Sequence, residues 1–358
     1  GPDRIHPRLL RECSEELAVP LSIIFTKSMN EGVLPDEWKA TNIAPIYKKG
    51  PRNSATNYRP INLASVPAKI MESIIKDAIL EHLRTNDLIH RSQHGFLPGR
   101  SCSTNLVDYL NVVTKALDKG ASYDVILTDF QKAFDKVPFN GMLMKARAHG
   151  IDGPLLRWLT DWTRDRRQRV VLNGVESSWA EVMSSVVQGS VLGPILFLIF
   201  INDIDLAITA ADNEIYTSKF ADDTKIGREI MDTSDSIKLQ TGLDNLVKWC
   251  NDWGMSLHPG KCAVIHFGWN NPHHEYFVEG IKIESEEVVR DLGVHIANNC
   301  DPSNHIDKIT KKAQGVLAQI RRSTILRDRD TVSSLYKSFV RPLIETAVPA
   351  WTPWKRGD

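Results

Sequence analysis

The string Lys219-Phe220-Ala221-Asp222-Asp223-Thr224 limits this chain more than any other. Two adjacent carboxylates sit between apolar, strand-like runs, with Ile215-Tyr216 leading in and Thr224-Lys225-Ile226-Gly227 leading out. The pattern predicts a β-hairpin with acid at its tip. Two like unit charges repel by roughly 4 kcal/mol at 4 Å under an effective dielectric of about 20. A fold that keeps such a pair has a use for it, most commonly a bound divalent cation; a polar turn is the plainer alternative. A third carboxylate favours the cation. Asp129 follows the run Tyr123-Asp124-Val125-Ile126-Leu127-Thr128, whose consecutive Val125, Ile126 and Leu127 predict a strand buried on both faces. Strands ending side by side with Asp129 and Asp222-Asp223 would suit two metal ions that clamp the oxygens of a phosphoryl displacement.

The chain has 358 residues, 42% hydrophobic and 25% charged, enough for a sizeable core and more than one lobe. Formal net charge is zero, so whole-chain charge does not announce a nucleic-acid binder. Local charge says more. Lys39 to Met71 holds six basic residues and no acidic one, Arg164, Arg166, Arg167 and Arg169 cluster, and Asp301 onward holds eleven basic against six acidic residues. Basic surfaces around an acidic centre suit a polyanion held near metal. Five scattered cysteines without CxxC spacing imply neither a disulfide framework nor a zinc site and fit a reducing compartment. The longest apolar run, Val191 to Ile201, contains Gly193 and Pro194 and is too short to span a membrane. No signal-peptide pattern is visible.

The strings TDFQKAFD, QGSVLGPILFLIFIND, FADDTKIG and GMSLHPGKC occur in that order, with NYRPINL and SQHGFLPGRSC upstream. The ordered set, spread from about Pro7 to Trp354, resembles the reverse transcriptase domain of non-LTR (LINE-type) retrotransposons, nearest the CR1/jockey-like branch. The resemblance implies an α+β right-hand polymerase. Residues 1–120 would form an N-terminal extension and fingers. Residues 121–295 would form a palm with an antiparallel sheet and a fingers-like insertion at about 136–186, and 296–358 a truncated helical thumb. It implies an RNA-directed DNA polymerase that uses two Mg²⁺ ions (Mn²⁺ as the alternative), an RNA template, a DNA primer and deoxynucleoside triphosphates. Such a protein is expected in the nucleus and cytoplasm, in a ribonucleoprotein and without a membrane.

By motif position, the resemblance makes Asp129 and Asp222 the main metal ligands, Asp223 a supporting one, and Lys261 the acid that protonates leaving pyrophosphate. Lys48, with Lys49 as the register alternative, and Arg59 would hold the triphosphate. Phe130, Phe134, Gln188 and Gly189 would shape the nucleotide pocket; Phe134 would exclude a ribose 2′-hydroxyl, with core packing as its alternative role. Arg100, Ala221 and Gly293 would meet template or primer. Val187 stands where the family more often has Pro. No string resembles the endonuclease that full elements carry, so a fragment or remnant is expected. Two rivals stand beside this reading: a catalytically silent RNA-binding derivative, and an RNA-dependent RNA polymerase, against which Phe134 speaks.

Local patterns add expectations. Residues 1–35 predict two helices broken near Pro20 and ended by Gly32 and Pro35. Val66 to Leu83 predicts a helix with Ile70, Ile74, Ile75, Ala78 and Ile79 inward. Ser103 or Thr104 would cap the helix that follows SQHGFLPGRS. Asp203 and Asp205 read as polar groups at a helix end.

Overall fold

The computed structural model describes residues 1–182, 189–325 and 328–352. The strands that frame the molecule are, in chain order, β1 (Ala40–Tyr47), β2 (Tyr58–Leu63), β3 (Ser122–Thr128), β4 (Arg167–Leu172), β5 (Val175–Glu176), β6 (Ala180–Glu181), β7 (Tyr216–Phe220), β8 (Asp223–Ile230) and β9 (Ala263–Phe267). The chain forms two compact units, each assembled from separated stretches. The first takes Gly1–Arg91, Phe130–Ile204 and Trp249–Ser256; the second takes Ser92–Asp129, Asp205–Lys248 and Leu257–Asp358.

In the first unit the strand order is β2-β1-β4-β5, with β6 also on β4. β1 pairs antiparallel with β2 and parallel with β4. The N-terminal helices run Pro7–Glu12 and Ser14–Glu31, so the break falls at Cys13 and Pro20 lies inside the longer helix. Gly32, at φ +69°, ends that helix as expected. The helix Val66–Thr85 turns Met71, Ile75, Ile79 and Leu83 inward, Ile75 and Ile79 as expected, and leaves the expected Ile70, Ile74 and Ala78 exposed. An i, i+4 stripe drawn one residue off still looks apolar, because Ile occurs on both sides of it. Trp158 and Trp162 pack in the core.

Two buried charges tie this unit together. Glu72 accepts from Trp162 Nε1 (2.9 Å) and from the backbone N–H of Val191 (2.8 Å), just ahead of the helix Gly193–Phe200. A carboxylate there satisfies orphan donors and complements the helix dipole. Lys145 donates to Asp203 Oδ1 (2.6 Å) and the Phe200 carbonyl (2.8 Å), its ammonium 3.9 Å from the ring centre of Trp253 and 4.3 Å from that of Trp249. These contacts explain why residues 249–256 belong to the first unit.

In the second unit β7, β8, β3 and β9 lie side by side in that order and antiparallel, and Glu284–Ser285 adds a parallel edge to β9. β3 is central, so Val125 and Ile126 are fully buried, as the apolar run requires. Leu106, Tyr109 and Val113 of the helix Cys102–Asp118 pack with Val125, Ile265 and Phe267. The cap of that helix is Ser101, which exchanges hydrogen bonds with Thr104, rather than Ser103 or Thr104 alone. The strands Val288–Asp291 and Val294–Ala297 form a separate hairpin, turning at Leu292 and Gly293 with φ of +44° and +95°. Positive φ at both turn positions is the tight, twist-matched hairpin geometry. Among the described residues, no helix is long and apolar enough to cross a membrane.

Candidate active site

The β3–β8 ladder ends at the pair Thr128 and Thr224. The next opposed positions are Asp129 and Asp223, so the antiparallel register alone brings the distant carboxylate beside the hairpin. β7 and β8 close through a two-residue loop, Ala221-Asp222, with Phe220 opposite Asp223. All three acidic residues therefore sit at one end of one sheet, as the sequence predicts.

Their electrostatics follow from that crowding. Burial, and then the charge of Asp129, raise the pKa of Asp222. Asp223 is pushed up to about 6, first by desolvation and then by the charges of Asp222, Asp291 and Asp129, with Lys225 opposing. Asp129 accepts from Lys261 Nζ at 2.8 Å, and its backbone carbonyl accepts from the His258 N–H at 2.8 Å. Both partners of the Lys261–Asp129 pair are well exposed, so it contributes at most about 1 kcal/mol and yields readily to a competing cation. Among the described residues, no three His, Cys, Asp or Glu side chains stand in ligand geometry for a metal ion. The donor set still suits a hard divalent cation: oxygen ligands only, carrying mutual repulsion that a cation would relieve.

The sign of the Asp223 shift gives a first prediction. A carboxylate easier to protonate in the folded protein than in the unfolded chain destabilises the fold while ionised. That cost is present above about pH 6 and fades as the pH falls through that value toward 4. Metal-free Asp223→Asn is expected to melt higher than wild type at pH 7 and to lose most of the advantage by about pH 4. Parallel thermal melts across pH check this, and an advantage that does not change with pH would contradict it.

Asp129, Asp222, Asp223, Lys261, Arg100, Ala221 and Gly293 belong to the second unit, whereas Lys48, Arg59, Phe130, Phe134 and Gly189 belong to the first. Arg100 approaches His94 Nε2 at 3.3 Å. Gly293 occupies the turn of the Val288–Ala297 hairpin at φ +95°. In the first unit Lys48 and Arg59 are exposed at the β1–β2 hairpin, Arg59 opposite Ile46. Phe130 is buried, and half-buried Phe134 stacks on Phe197 with ring centres 4.3 Å apart. Gln188 and Val187 lie outside the described residues. Gly189, at φ +100°, is needed for a nearer reason than the one expected. A Cβ there would stand 2.9 Å from the Asn62 carbonyl, so the chain itself already demands glycine.

Sequence reasoning missed the polar supports of the hairpin. Lys219 and Asp205, 0% and 1% exposed at the side chain, form a buried ion pair, and Asp205 also accepts from Ser92 Oγ (2.7 Å) and Thr217 Oγ1 (2.6 Å). Asp205, in the first turn of the helix Ile204–Thr209, is thus a buried hub as well as the helix-end group expected. Lys225, two residues past Asp223, pairs in the interior with Asp291 at the Leu292-Gly293 turn. The detectable signal was one lysine on each strand of the hairpin that carries the acidic turn.

An acid-tipped antiparallel hairpin beside a central acidic strand end defines the palm of a right-hand polymerase, and solved structures agree at the level of fold. Apo telomerase from Candida tropicalis truncated from its C-terminal domain superposes with a TM-score of 0.53 at 14% identity over 75% of this chain and 55% of its own. A telomerase from the same organism, in complex with a TWJ fragment of telomeric RNA, gives 0.53 at 11% identity over 93% and 57%. Residues 46–296 match the family described as reverse transcriptase (RNA-dependent DNA polymerase), and the chain belongs to that family. Relatives include the RNA-directed DNA polymerase from mobile element jockey of Drosophila melanogaster, 26% identical over 96% of this chain and 38% of the relative. The Drosophila funebris jockey polymerase is 26% identical over 98% and 39%, and the probable polymerase from transposon BS of Drosophila melanogaster 24% over 98% and 39%. These relatives agree with the non-LTR retrotransposon branch that the motifs resemble. The chain spans about two fifths of their length.

Proposed function

We propose that this chain is the polymerase part of a non-LTR retrotransposon protein. It adds deoxynucleotides to a primer 3′-hydroxyl on an RNA template by two-metal nucleotidyl transfer. The observation that carries the reading is the convergence of Asp129, Asp222 and Asp223 on one sheet end, where burial and neighbouring charge disfavour the ionised forms of Asp222 and Asp223. Asp129 and Asp222, with Asp223 in support, would hold two Mg²⁺ ions or Mn²⁺ in their place. When bound, such ions lower the pKa of the attacking hydroxyl and neutralise charge on the leaving phosphates.

This chain's own residues supply positioning and protons. Lys261 Nζ, already 2.8 Å from Asp129, serves to protonate leaving pyrophosphate. Lys48 and Arg59 offer exposed cations for a triphosphate. Arg100, Ala221 and Gly293 serve template and primer, and Phe130, Gln188 and Gly189 the nucleotide pocket. Residues 1–120 act as extension and fingers, 121–295 as palm with an insertion at about 136–186, and 296–358 as thumb. The working location is the nucleus and cytoplasm.

Phe134 serves as the ribose gate, its ring braced by Phe197. Phe134→Val is expected to raise ribonucleotide incorporation relative to deoxynucleotide about 10- to 100-fold, roughly 1–3 kcal/mol of discrimination. Single-nucleotide kcat/KM ratios check this, and an unchanged ratio would assign the ring to packing. The polymerase reading itself is tested by extending a primed RNA template with each nucleotide set, with and without Mg²⁺. Tight RNA binding without extension would favour the silent RNA-binding alternative, and preferential ribonucleotide use the RNA-dependent RNA polymerase.

A further inference from the structure

Asp222 rides on a loop whose first residue, Ala221, holds φ at +55°. In a two-residue hairpin loop that position favours glycine. An alanine held there is strained and persists only where its surroundings over-determine it. Its N–H donates to the side-chain oxygen of Gln93 at 2.9 Å, and the Gly95 N–H donates to the same oxygen at 2.7 Å. Gln93 is 2% exposed, so water cannot replace that oxygen.

Gln93 is itself held in place. The Lys219 N–H donates to the Ser92 carbonyl and the His94 N–H to the Lys219 carbonyl, both at 2.8 Å, making a parallel bridge of Gln93 to β7. Asp205 fastens the same stretch from below through Ser92, Thr217 and Lys219. A Cβ on Gly95 would lie 2.4 Å from the Ala221 nitrogen, so the segment sits directly on the loop.

We propose that Gln93 is a positioning residue: its side-chain oxygen locks Ala221 in the left-handed region and so aims the Asp222 carboxylate. SQHG is thereby a brace under the acidic turn, in addition to any contact that the segment makes with template. The inference rests on the reading of Asp222 as a metal ligand, and its test separates the two. In the full chain, Gln93→Met keeps the shape and removes the acceptor, whereas Gln93→Glu keeps an oxygen at the same reach. Amide hydrogen exchange at Ala221 and Gly95 is expected to quicken about 10- to 100-fold in the Met variant and to return toward wild type in the Glu variant. In the Met variant kcat for primer extension is expected to fall about 10- to 100-fold, with nucleotide KM and primer–template affinity within about threefold. Unchanged exchange in Gln93→Met would overturn the brace. Faster exchange with unchanged kcat, or KM and kcat moving together with a loss of melting temperature, would overturn the positioning role. A wild-type protein that fails to extend would count against the polymerase reading instead, and the exchange measurements would still decide whether Gln93 locks the turn.

Discussion

Asp222→Asn is expected to lower primer extension by at least about 10³-fold, roughly 4 kcal/mol of barrier, without unfolding the protein. The amide has the shape of the carboxylate and lacks the charge that a cation needs. The same substitution removes an anion that burial and Asp129 already disfavour, so the melting temperature should hold or rise. Opposite signs on activity and stability are the mark of a group kept for chemistry. Extension rates alongside melts and template-binding isotherms check it; extension within tenfold of wild type would remove Asp222 from the site.

Lys219→Met is expected to do the reverse, costing the fold about 3–5 kcal/mol. It leaves Asp205 charged in an interior that admits no water, next to hydroxyls that cannot neutralise it. The double variant Lys219→Met with Asp205→Leu should recover most of that loss, because removing both charges also removes the unpaired one. Denaturant unfolding of the single and double variants measures the coupling. A single variant within about 1 kcal/mol of wild type would show that the pair carries little.

The sheet end was legible because its signals are local. Val125-Ile126-Leu127 announces a central strand and the two-residue loop fixes Phe220 opposite Asp223, whereas the long-range pairing of Thr128 with Thr224 is what brings Asp129 beside Asp223. Gly32 ends its helix through its own backbone freedom. What escaped depended on partners far along the chain. Glu72 reads as a surface residue of an amphipathic helix until Trp162 and Val191 are seen to donate to it. Gln93 lies in a loop-like string, and only its 128-residue reach to Ala221 shows what it supports. Lys219 and Lys225 lie on opposite faces of the hairpin, and both are interior, each beside a buried carboxylate. The inward face of Val66–Thr85 was misread since isoleucines flank both candidate stripes.

The loop of two residues between β7 and β8 leaves this stretch no spare length. Side chains along β8 point alternately to its two faces, so a residue inserted within β8 would turn fully buried Ile226 to the other face. It would also shift Asp223 out of step with the end of β3. Gaining or losing a single codon within β8 should therefore disable the hairpin even where every remaining residue is kept.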